Sequence, residues 1–424
     1  MRRLRIVIQS MNYAPELVGI GKYTGEMAAW LAAQGHEVRV VAAPPYYPSW
    51  RVQDGYSATR YRREQVAGTR VTRCPLWVPR APNGIKRLLH LASFAISSAP
   101  VMLWQGIRGF DVVITMQPPL FCAPVALIAA RIARARAWLH IQDFEVDTAF
   151  NLGMLPRSLE TPAKAIESFI VGRFDRVSTV SDAMLSRLGD KGLKTHRPVL
   201  LPNWVDTNWI RPMGTPNPMR RMLGIPSEAV VTLYSGNMGA KQGLEDIVDA
   251  ARLLVGEKNI YFILCGDGVA RQRLVNRSIG LDNIRFLPLQ PYEQLNALLN
   301  LADIHILPQK PEATDLLTPS KLTGMLASGR PVVTTALAGS QVAGIVEHCG
   351  RVVRPGEPAD LAEALRALAQ SPNERQRLGQ QARWIAEKYW SKDQVLTELE
   401  KTLIALCETT PAGVFRHDTP GEWM

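Results

Sequence analysis

The chain has 424 residues, too many for one ordinary domain and enough for two that each bury a core. Its formal net charge of +11 favours an anionic partner, either a phosphorylated small molecule or a membrane surface. A nucleic-acid partner is disfavoured, because the sequence has no run of five Lys or Arg and no zinc-ligand spacing. The five cysteines show no paired spacing, which is typical of a reducing compartment such as the cytoplasm.

The first half of the sequence alternates short apolar runs with segments of helical periodicity. The apolar run from Ile6 to Ile8 is too short for a signal peptide and is interpreted as the first buried strand. Such alternation predicts a parallel sheet covered by helices on both faces. Strands are predicted at 5–9, 36–44, 111–117, 137–143, 176–181 and 198–204, and a helix at 21–35.

An apolar segment at 87–104 has two interpretations. The preferred one is a buried helix that breaks near Pro100. The other is a helix lying in the membrane interface, with Lys86 and Arg87 at its start and Arg108 beyond its end.

The pattern of strands restarts after residue 229. Strands are predicted at 230–237, 260–268, 284–291, 302–309, 331–336 and 350–356, with helices at 243–254 and about 374–406. We therefore predict two doubly wound α/β domains, whose ligands bind beyond the carboxyl ends of the strands. The predicted segments are an N-terminal domain at 1–204, a proline-rich linker at 205–229, a C-terminal domain at 230–385, a C-terminal helix at 386–408 packing back toward the N-terminal domain, and a disordered tail at 409–424.

Three junctions between a strand and a helix in the second half carry glycines, hydroxyls or lysines. Helix N-termini with such residues bind phosphates. Each junction alone is equally compatible with an ordinary connection, but three at one sheet edge predict a site for a nucleotide diphosphate. The candidate ligands are Gly236, Asn237, Lys241, Thr318, Ser320 and Lys321 for the diphosphate, and Gly266, Asp267 and Gly268 for the nucleotide.

In their order and spacing, these junctions resemble glycosyltransferase family 4, whose GT-B architecture has two Rossmann-like domains facing a central cleft. The resemblance covers roughly residues 4 to 405. Within the family, the colanic-acid biosynthesis enzymes are most similar, through "IQDFEVDTAFNLGML" (141–155) and "GNMGAKQGLEDIV" (236–248). Other segments that resemble the family are "APELVGIGKYTGEMAAWLAAQGHEVRVV" (14–41), "RVSTVSDAM" (176–184), "LPNWVDTNWIRP" (201–212) and "ASGRPVV" (327–333).

The resemblance implies a retaining transfer of sugar, with fucose from GDP-fucose as the first candidate, to a lipid-linked oligosaccharide. The sugar nucleotide is then a substrate and no cofactor is expected. No Asp-x-Asp motif occurs in the sequence, which predicts an enzyme without a metal. The implied place of action is the cytoplasm, with contact to the inner face of the cytoplasmic membrane. Gly19 and Gly21 are expected to let the first loop approach the donor phosphates or the acceptor.

The sequence departs from the family pattern at two places in the second half. Many members of the family have two glutamates eight residues apart in this region, and the second one binds the ribose hydroxyls. The corresponding residues of this chain are Leu316 and Gly324, so the contact with the ribose must come from other residues. A phosphate-binding arginine of the family is replaced by Asn237. Lys241 is therefore the better candidate for neutralising the leaving phosphate, as a catalytic residue.

A third departure lies in the first half, where a histidine of the relatives is replaced by Gln142. Asp143 and Glu145 remain catalytic candidates that orient hydroxyls of the sugar or the acceptor. The structural alternative for Asp143 is a helix cap. His140 is predicted to be a core histidine, and the aromatic loop at 44–50 is either a sugar-stacking surface or a rigid connection.

Other functions remain open. They are a transferase that uses a UDP-sugar, a GT-B sugar-nucleotide 2-epimerase, a dinucleotide-dependent oxidoreductase and a non-catalytic sugar-binding protein. The epimerase is disfavoured because the seven histidines are not clustered, and the oxidoreductase because GxGxxG does not follow the first strand.

Overall fold

The computed structural model describes residues 2–80, 84–151, 153–192, 198–214, 217–239, 242–310 and 320–408. The chain divides into two compact units. Unit 1 comprises the chain up to Leu201 together with the chain from Leu396 onward, and unit 2 runs from Pro202 to Val395. Lys241, Thr318 and the predicted tail at 409–424 lie outside the described residues, and of Ser320 only the backbone is described.

Unit 1 contains a sheet whose central strands are buried on both faces. The predicted strands are confirmed, although the one expected at 198–204 has only two residues. All neighbours pair in parallel except β3 and β4, an edge hairpin that the sequence analysis did not predict. The strands, in the order β3-β4-β2-β1-β5-β6-β7-β8, are β1 (Arg5–Ser10), β2 (Glu37–Ala42), β3 (Arg62–Val66), β4 (Thr69–Arg73), β5 (Val112–Gln117), β6 (Arg136–Ile141), β7 (Arg176–Thr179) and β8 (Val199–Leu200).

Three helices of unit 1 cover the same face of this sheet. Phe94, Ala126 and Val171 come from these three helices and share one apolar core with Val113 and Val177 of the sheet. Helices α2, α3 and α5 therefore form one layer, with their outer sides away from the sheet. The helices of this part of the chain are α1 (Gly19–Ala33), α2 (Gly84–Arg108), α3 (Ala123–Ala133), α4 (Glu145–Asn151), α5 (Glu160–Val171) and α6 (Asp182–Asp190).

Helix α2 continues through Pro100, so the prediction of a break there is wrong. A proline inside a helix removes one hydrogen bond, but Phe94 and Met102 on either side of it are fully buried and hold the helix against the sheet. By length and composition alone, α2 is the one helix of the described residues that could cross a membrane.

Unit 2 contains a six-stranded sheet that is parallel throughout. Its order, β11-β10-β9-β12-β13-β14, is that of a doubly wound nucleotide-binding fold, and the order reverses between β9 and β12. Ligands of such sheets bind beyond the carboxyl ends of the strands at this reversal. The strands are β9 (Val230–Ser235), β10 (Ile260–Cys265), β11 (Ile284–Leu287), β12 (Ile304–Pro308), β13 (Val332–Thr335) and β14 (Gly350–Val353).

The C-terminal segment forms two helices rather than the single helix predicted at 374–406. The break lies at Ser391, whose backbone is extended. Val205 donates a hydrogen bond to the carbonyl of Trp390, and Lys392 donates one to the carbonyl of Val205. The second half of the chain contains α7 (Pro218–Met222), α8 (Glu245–Leu253), α9 (Arg271–Arg277), α10 (Leu295–Leu299), α11 (Ser320–Ala327), α12 (Gln341–Val346), α13 (Pro358–Gln370), α14 (Pro372–Trp390) and α15 (Lys392–Glu408).

Two helical glycines of unit 1 provide a test of the packing between α2 and α3. A Cβ atom on Gly106 would lie 2.9 Å from the carbonyl oxygen of Ala129, whereas a Cβ on Gly189 would meet no atom within 4 Å. We expect Gly106→Ala to lower the free energy of unfolding by about 1–3 kcal/mol through overpacking. Gly189→Ala should raise it by roughly 0.5–1 kcal/mol, because alanine loses less backbone entropy in a helix. Urea denaturation measures both, and a loss of the same size in both variants would contradict this packing.

Candidate functional site

The loops that follow β9 and β10 pack against each other at the carboxyl edge of the sheet of unit 2. The backbone N–H of Gly236 donates to the carbonyl of Cys265 at 2.9 Å. Gly236, Gly266 and Gly268 all have positive φ angles, between +137° and +148°. A Cβ on Gly266 would overlap the carbonyl of Gly236, and one on Gly268 would overlap that of Met238. Only glycine allows this close approach of the two loops.

Lys321, in the first turn of α11, extends over the loop after β9. Its Nζ lies 2.7 Å from the hydroxyl oxygen of Tyr234, 3.4 Å from Oε1 of Gln242 and 3.5 Å from the carbonyl oxygen of Asn237. A Cβ on Gly236 would overlap the side chain of Lys321. The first and third predicted junctions therefore meet at this lysine.

The ammonium of Lys321 is surrounded by neutral groups. Its partners are three oxygens and the face of the Tyr234 ring, whose centroid lies 4.6 Å from Nζ. Within the described ranges, no carboxylate forms an ion pair with it. Burial lowers the pKa of Lys321 to about 8, so the side chain is still mostly charged at pH 7. A lysine without a carboxylate partner, at a helix N-terminus, is suited to receive an anion.

The other predicted ligands of unit 2 lie at the same edge. The carboxylate of Asp267 accepts a hydrogen bond from the N–H of Gly268 at 2.8 Å, so it stabilises its own turn. The carbonyl of Asn237 accepts from the Tyr234 hydroxyl at 2.6 Å. Gly324 lies on α11, and a Cβ there would meet only Leu299, at 3.4 Å. The structure thus brings together Gly236, Asn237, Gly266, Asp267, Gly268 and Lys321.

In unit 1, His140 is a core histidine, as predicted. Its Nδ1 lies 2.8 Å from the hydroxyl oxygen of Ser178, and its Nε2 lies 3.0 Å from the side-chain amide nitrogen of Gln142. Burial lowers the pKa of His140 to about 3, so the ring is neutral at physiological pH. This histidine therefore holds the end of β6 in place.

Asp143 and Glu145 follow β6, at the carboxyl edge of the sheet of unit 1. Asp143 accepts a hydrogen bond from the side-chain hydroxyl of Thr148 at 3.2 Å. Glu145 accepts one from the backbone N–H of Leu120 at 2.7 Å.

Burial shifts the titration of both carboxyl groups toward neutral pH. It raises the pKa of Glu145 to about 7, with a smaller contribution from the negative charge of Asp143, and it also raises the pKa of Asp143. The positive charge of Arg87 opposes both shifts. A carboxyl group that titrates near pH 7 is suited to exchange protons with a hydroxyl.

Glu16 is a further buried carboxylate, which the sequence analysis did not select. One of its oxygens accepts from the backbone N–H groups of Tyr46 and Tyr47, each at 2.9 Å, and the other accepts from the amide of Asn12 at 2.9 Å. Burial raises its pKa, while these hydrogen bonds act in the opposite direction. Its only signal in the sequence is an acidic residue in the glycine-bearing loop after the first strand.

The first glycine loop and the aromatic loop are both tied to Glu16. A Cβ on Gly21 would lie 2.6 Å from the carboxylate of Glu16, so a residue larger than glycine at this position would clash with Glu16. Gly19 has a φ of +60° at the start of α1. In the aromatic loop, Tyr46 is buried with its ring 4.8 Å from that of His90, whereas Tyr47 is 38% exposed.

Comparisons with known proteins agree with this arrangement. A family model for a glycosyl transferase 4-like domain matches residues 18–204, and one for glycosyl transferases group 1 matches 217–384. The chain is 41% identical over 402 residues to the putative colanic acid biosynthesis glycosyl transferase WcaI of Escherichia coli K12, covering 93% of this chain and 98% of that protein. It is 25% identical over 398 residues to a glycogen synthase of Mycobacterium tuberculosis H37Rv, covering 90% and 89%.

Solved structures show the fold. A sucrose-phosphate synthase from Thermosynechococcus elongatus superposes with a TM-score of 0.72 at 18% identity, over 95% of this chain and 99% of that one. Anabaena Alr3699/HepE, in complex with UDP and glucose, gives 0.66 at 16% identity, over 95% and 100%. Together with the two family matches, these neighbours confirm the expected GT-B architecture. The chain therefore belongs to the GT-B glycosyltransferases that combine these two domains, the family that includes WcaI.

Proposed function

We propose that this glycosyltransferase transfers a sugar from a nucleotide diphosphate to a lipid-linked oligosaccharide during assembly of a colanic acid-like exopolysaccharide. Fucose from GDP-fucose is the first candidate donor. The 41% identity to WcaI, a putative colanic acid biosynthesis glycosyl transferase, supports the pathway. The observation that carries the proposal is the charged Lys321, which has only neutral partners among the described residues at the edge where three junctions were predicted to bind a diphosphate.

The donor diphosphate supplies the negative charge that the described neighbours of Lys321 do not provide. It lies across the first turn of α11, where backbone N–H groups point toward it. Lys241, Thr318 and Ser320 are proposed to contribute further contacts, and the loop that contains Gly266 and Gly268 is proposed to bind the nucleotide.

The reaction breaks the bond between the anomeric carbon and an oxygen of the diphosphate, and forms a bond from that carbon to an acceptor hydroxyl. Retention of configuration is proposed to follow from attack on the face that the diphosphate leaves. The departing phosphate oxygen takes the proton of the hydroxyl. Lys321 and Lys241 stabilise the negative charge that develops on that oxygen, without a metal ion.

The acceptor is proposed to contact unit 1 through Asp143 and Glu145. Carboxylates hold sugar hydroxyls by accepting their hydrogen bonds, and Glu145 is proposed to orient the acceptor hydroxyl in this way while the leaving phosphate takes its proton. A lipid-linked acceptor requires action at the inner face of the cytoplasmic membrane, which the net charge of +11 favours.

A UDP-sugar is the alternative donor. The observation that favours it is the fold neighbour Alr3699/HepE, which was solved with UDP and glucose.

The first test is a thermal-shift panel of GDP, UDP, ADP, TDP and NAD in the presence of EDTA. A ligand that binds only the folded state raises Tm by mass action, and we expect GDP to do so. A shift of Tm with UDP alone would still support a glycosyltransferase, but it would overturn the assignment of GDP-fucose as the donor. A response to NAD alone, or to none of these nucleotides, would contradict the proposed function.

The variant Lys321→Met separates binding from stability in the same assay. The folded state lowers the pKa of Lys321 from 10.5 to about 8, so at pH 7 the charged lysine favours the unfolded chain. Lys321→Met should therefore raise the free energy of unfolding without ligand by about 1–3 kcal/mol. It should also abolish the shift with GDP. A variant that still responds to GDP like the wild type would exclude Lys321 from the site.

The pH dependence of GDP binding provides a second test of Lys321. The unliganded lysine loses its proton above about pH 8, and the bound diphosphate holds the charged form. Affinity measured by titration calorimetry should therefore fall about tenfold between pH 7 and pH 9. The control is Lys321→Arg, whose guanidinium stays charged and whose affinity should change little over this range. An equal fall in both proteins would assign the effect to another group.

Glu145→Gln tests the proposed acceptor side. We expect kcat/KM for the acceptor to fall roughly 10–100-fold, because an amide oxygen accepts a hydrogen bond from the acceptor hydroxyl less strongly than a carboxylate does, while the thermal shift with GDP stays unchanged. Burial raises the pKa of Glu145 from 4.5 to about 7, so this residue lowers the stability of the fold increasingly from about pH 4.5 upward, and in full above pH 7. The variant should therefore be more stable than wild type at pH 8 but not at pH 4. Asp182→Asn, an acidic position in α6, is the control, and equal losses of activity would refute a specific role for Glu145.

A further inference from the structure

The outer side of α2 is apolar along the whole helix. Its exposed residues lie opposite Phe94 and Met102, which pack into the core. The helix has no acidic residue, and Lys86, Arg87 and Arg108 are its charged side chains. The exposed apolar residues, called the α2 stripe below, are Ile85, Leu89, Ile96, Trp104 and Ile107, each more than half exposed.

A groove rich in arginine lies beside this stripe, between the β3–β4 hairpin and the C-terminal half of α2. Its volume is about 970 Å³. Trp104 belongs both to the groove and to the stripe, so the two surfaces are continuous. Five arginines line the groove against one glutamate, Glu64; they are Arg39, Arg62, Arg63, Arg70 and Arg108.

Side-chain contacts hold the walls of the groove in place. Arg39, which is 3% exposed, donates a hydrogen bond of 2.6 Å to the side chain of Gln105 in α2. The hydroxyl of Tyr61 donates one of 2.8 Å to the carbonyl of Ser97. The groove is thus formed by the folded unit and does not depend on a ligand.

The charges in the groove are only partly compensated. Glu64 lies 3.4 Å from Arg62, and Glu37 lies 3.3 Å from Arg70. In the part of the chain that the structure describes, Arg63 and Arg108 have no acidic partner. The groove therefore retains positive charge that a phosphate can neutralise with paired hydrogen bonds from a guanidinium.

We propose that α2 docks on an anionic phospholipid bilayer, with the α2 stripe in the interface and a phospholipid phosphate in the arginine groove. A free phosphate or a nucleic acid would explain the arginines but not the apolar stripe beside them. Tryptophan at the border of apolar and charged surface is typical of the membrane interface. Because its inner side is part of the core, α2 lies along the membrane and does not cross it.

The docking surface is an addition to the proposed function. It rests on that function in one respect only, because a lipid-linked acceptor gives the enzyme a reason to bind the membrane. The surface itself follows from residues of unit 1 that take no part in donor binding. Failure of one proposal is therefore distinguishable from failure of the other.

Sedimentation of the full chain with vesicles tests the docking. The vesicles contain phosphatidylcholine alone, or phosphatidylcholine and phosphatidylglycerol at a ratio of about 2:1, which gives an anionic surface. We expect at least about tenfold stronger binding to the anionic vesicles, weakened by salt. Equal binding to both vesicles, or binding to neither, would overturn the proposal.

Paired variants distinguish a specific groove from net charge. Arg63→Gln with Arg108→Gln should weaken binding to anionic vesicles about tenfold or more, and so should Ile96→Ser with Ile107→Ser. Arg221→Gln with Arg377→Gln removes the same charge from positions without an ion pair in the described residues and should bind like the wild type. An equal loss in this control would reduce the effect to net charge and overturn the proposal.

Each variant is also assayed for its thermal shift with nucleotide. An unchanged Tm and an unchanged shift show that the fold and the donor site are intact. If vesicle binding is absent from a wild-type protein that responds to nucleotide, the docking proposal is wrong and the sugar-transfer proposal stands.

Discussion

The site of unit 2 depends on one positive charge, that of Lys321, which has no negative partner among the residues that the structure describes. Taking an ammonium partly out of water favours its neutral form, and none of the described carboxylates forms an ion pair with Lys321 that would offset this cost. The close approach of the glycine loops leaves no room to relieve it, because Gly236 lies directly against the lysine side chain. An unliganded fold that bears such a cost gains most from an anion, which is the property a diphosphate site requires.

In unit 1, burial shifts the pKa values of carboxylates at the carboxyl edge of the sheet, whereas in unit 2 it shifts that of a lysine. Its carboxyl edge contains carboxylates whose pKa values are raised by burial, among them Glu16, Asp143 and Glu145. Glu16 already has three hydrogen-bond donors and fixes two loops, so it acts on structure. Glu145 has one donor and a pKa near 7, which leaves it capacity for a hydroxyl. In the proposed reaction, the cation of unit 2 stabilises the leaving phosphate and the carboxyl group of unit 1 orients the acceptor.

The sequence predicted the parallel strands well, because each is a short run of apolar and β-branched residues that recurs along the chain. It did not predict β3 and β4, whose segments "RREQV" and "TRVTR" are mostly polar. The break at Ser391 was missed because it depends on pairing with Val205, far away in the sequence. Likewise, the continuity of α2 through Pro100 depends on burial against the sheet, which local propensity does not contain.

For the candidate site, the meeting of the glycine loops with Lys321 was predictable, because strand-to-helix junctions of one sheet converge by topology, whereas anion binding at this edge stays a prediction. The contact of Glu16 with Tyr46 was not predictable, since thirty residues separate them. The roles of Lys241 and Thr318 stay predictions.

Pro100 limits how deeply α2 can enter a membrane in the proposed docking. Pro100 has no N–H, so the helix offers no donor to the carbonyl of Ile96, a residue on the exposed side. A carbonyl without a donor is costly in hydrocarbon but not where water reaches it. In the proposed docking, the helix therefore lies at the level of the headgroups and glycerol, where water reaches this carbonyl, and not in the hydrocarbon.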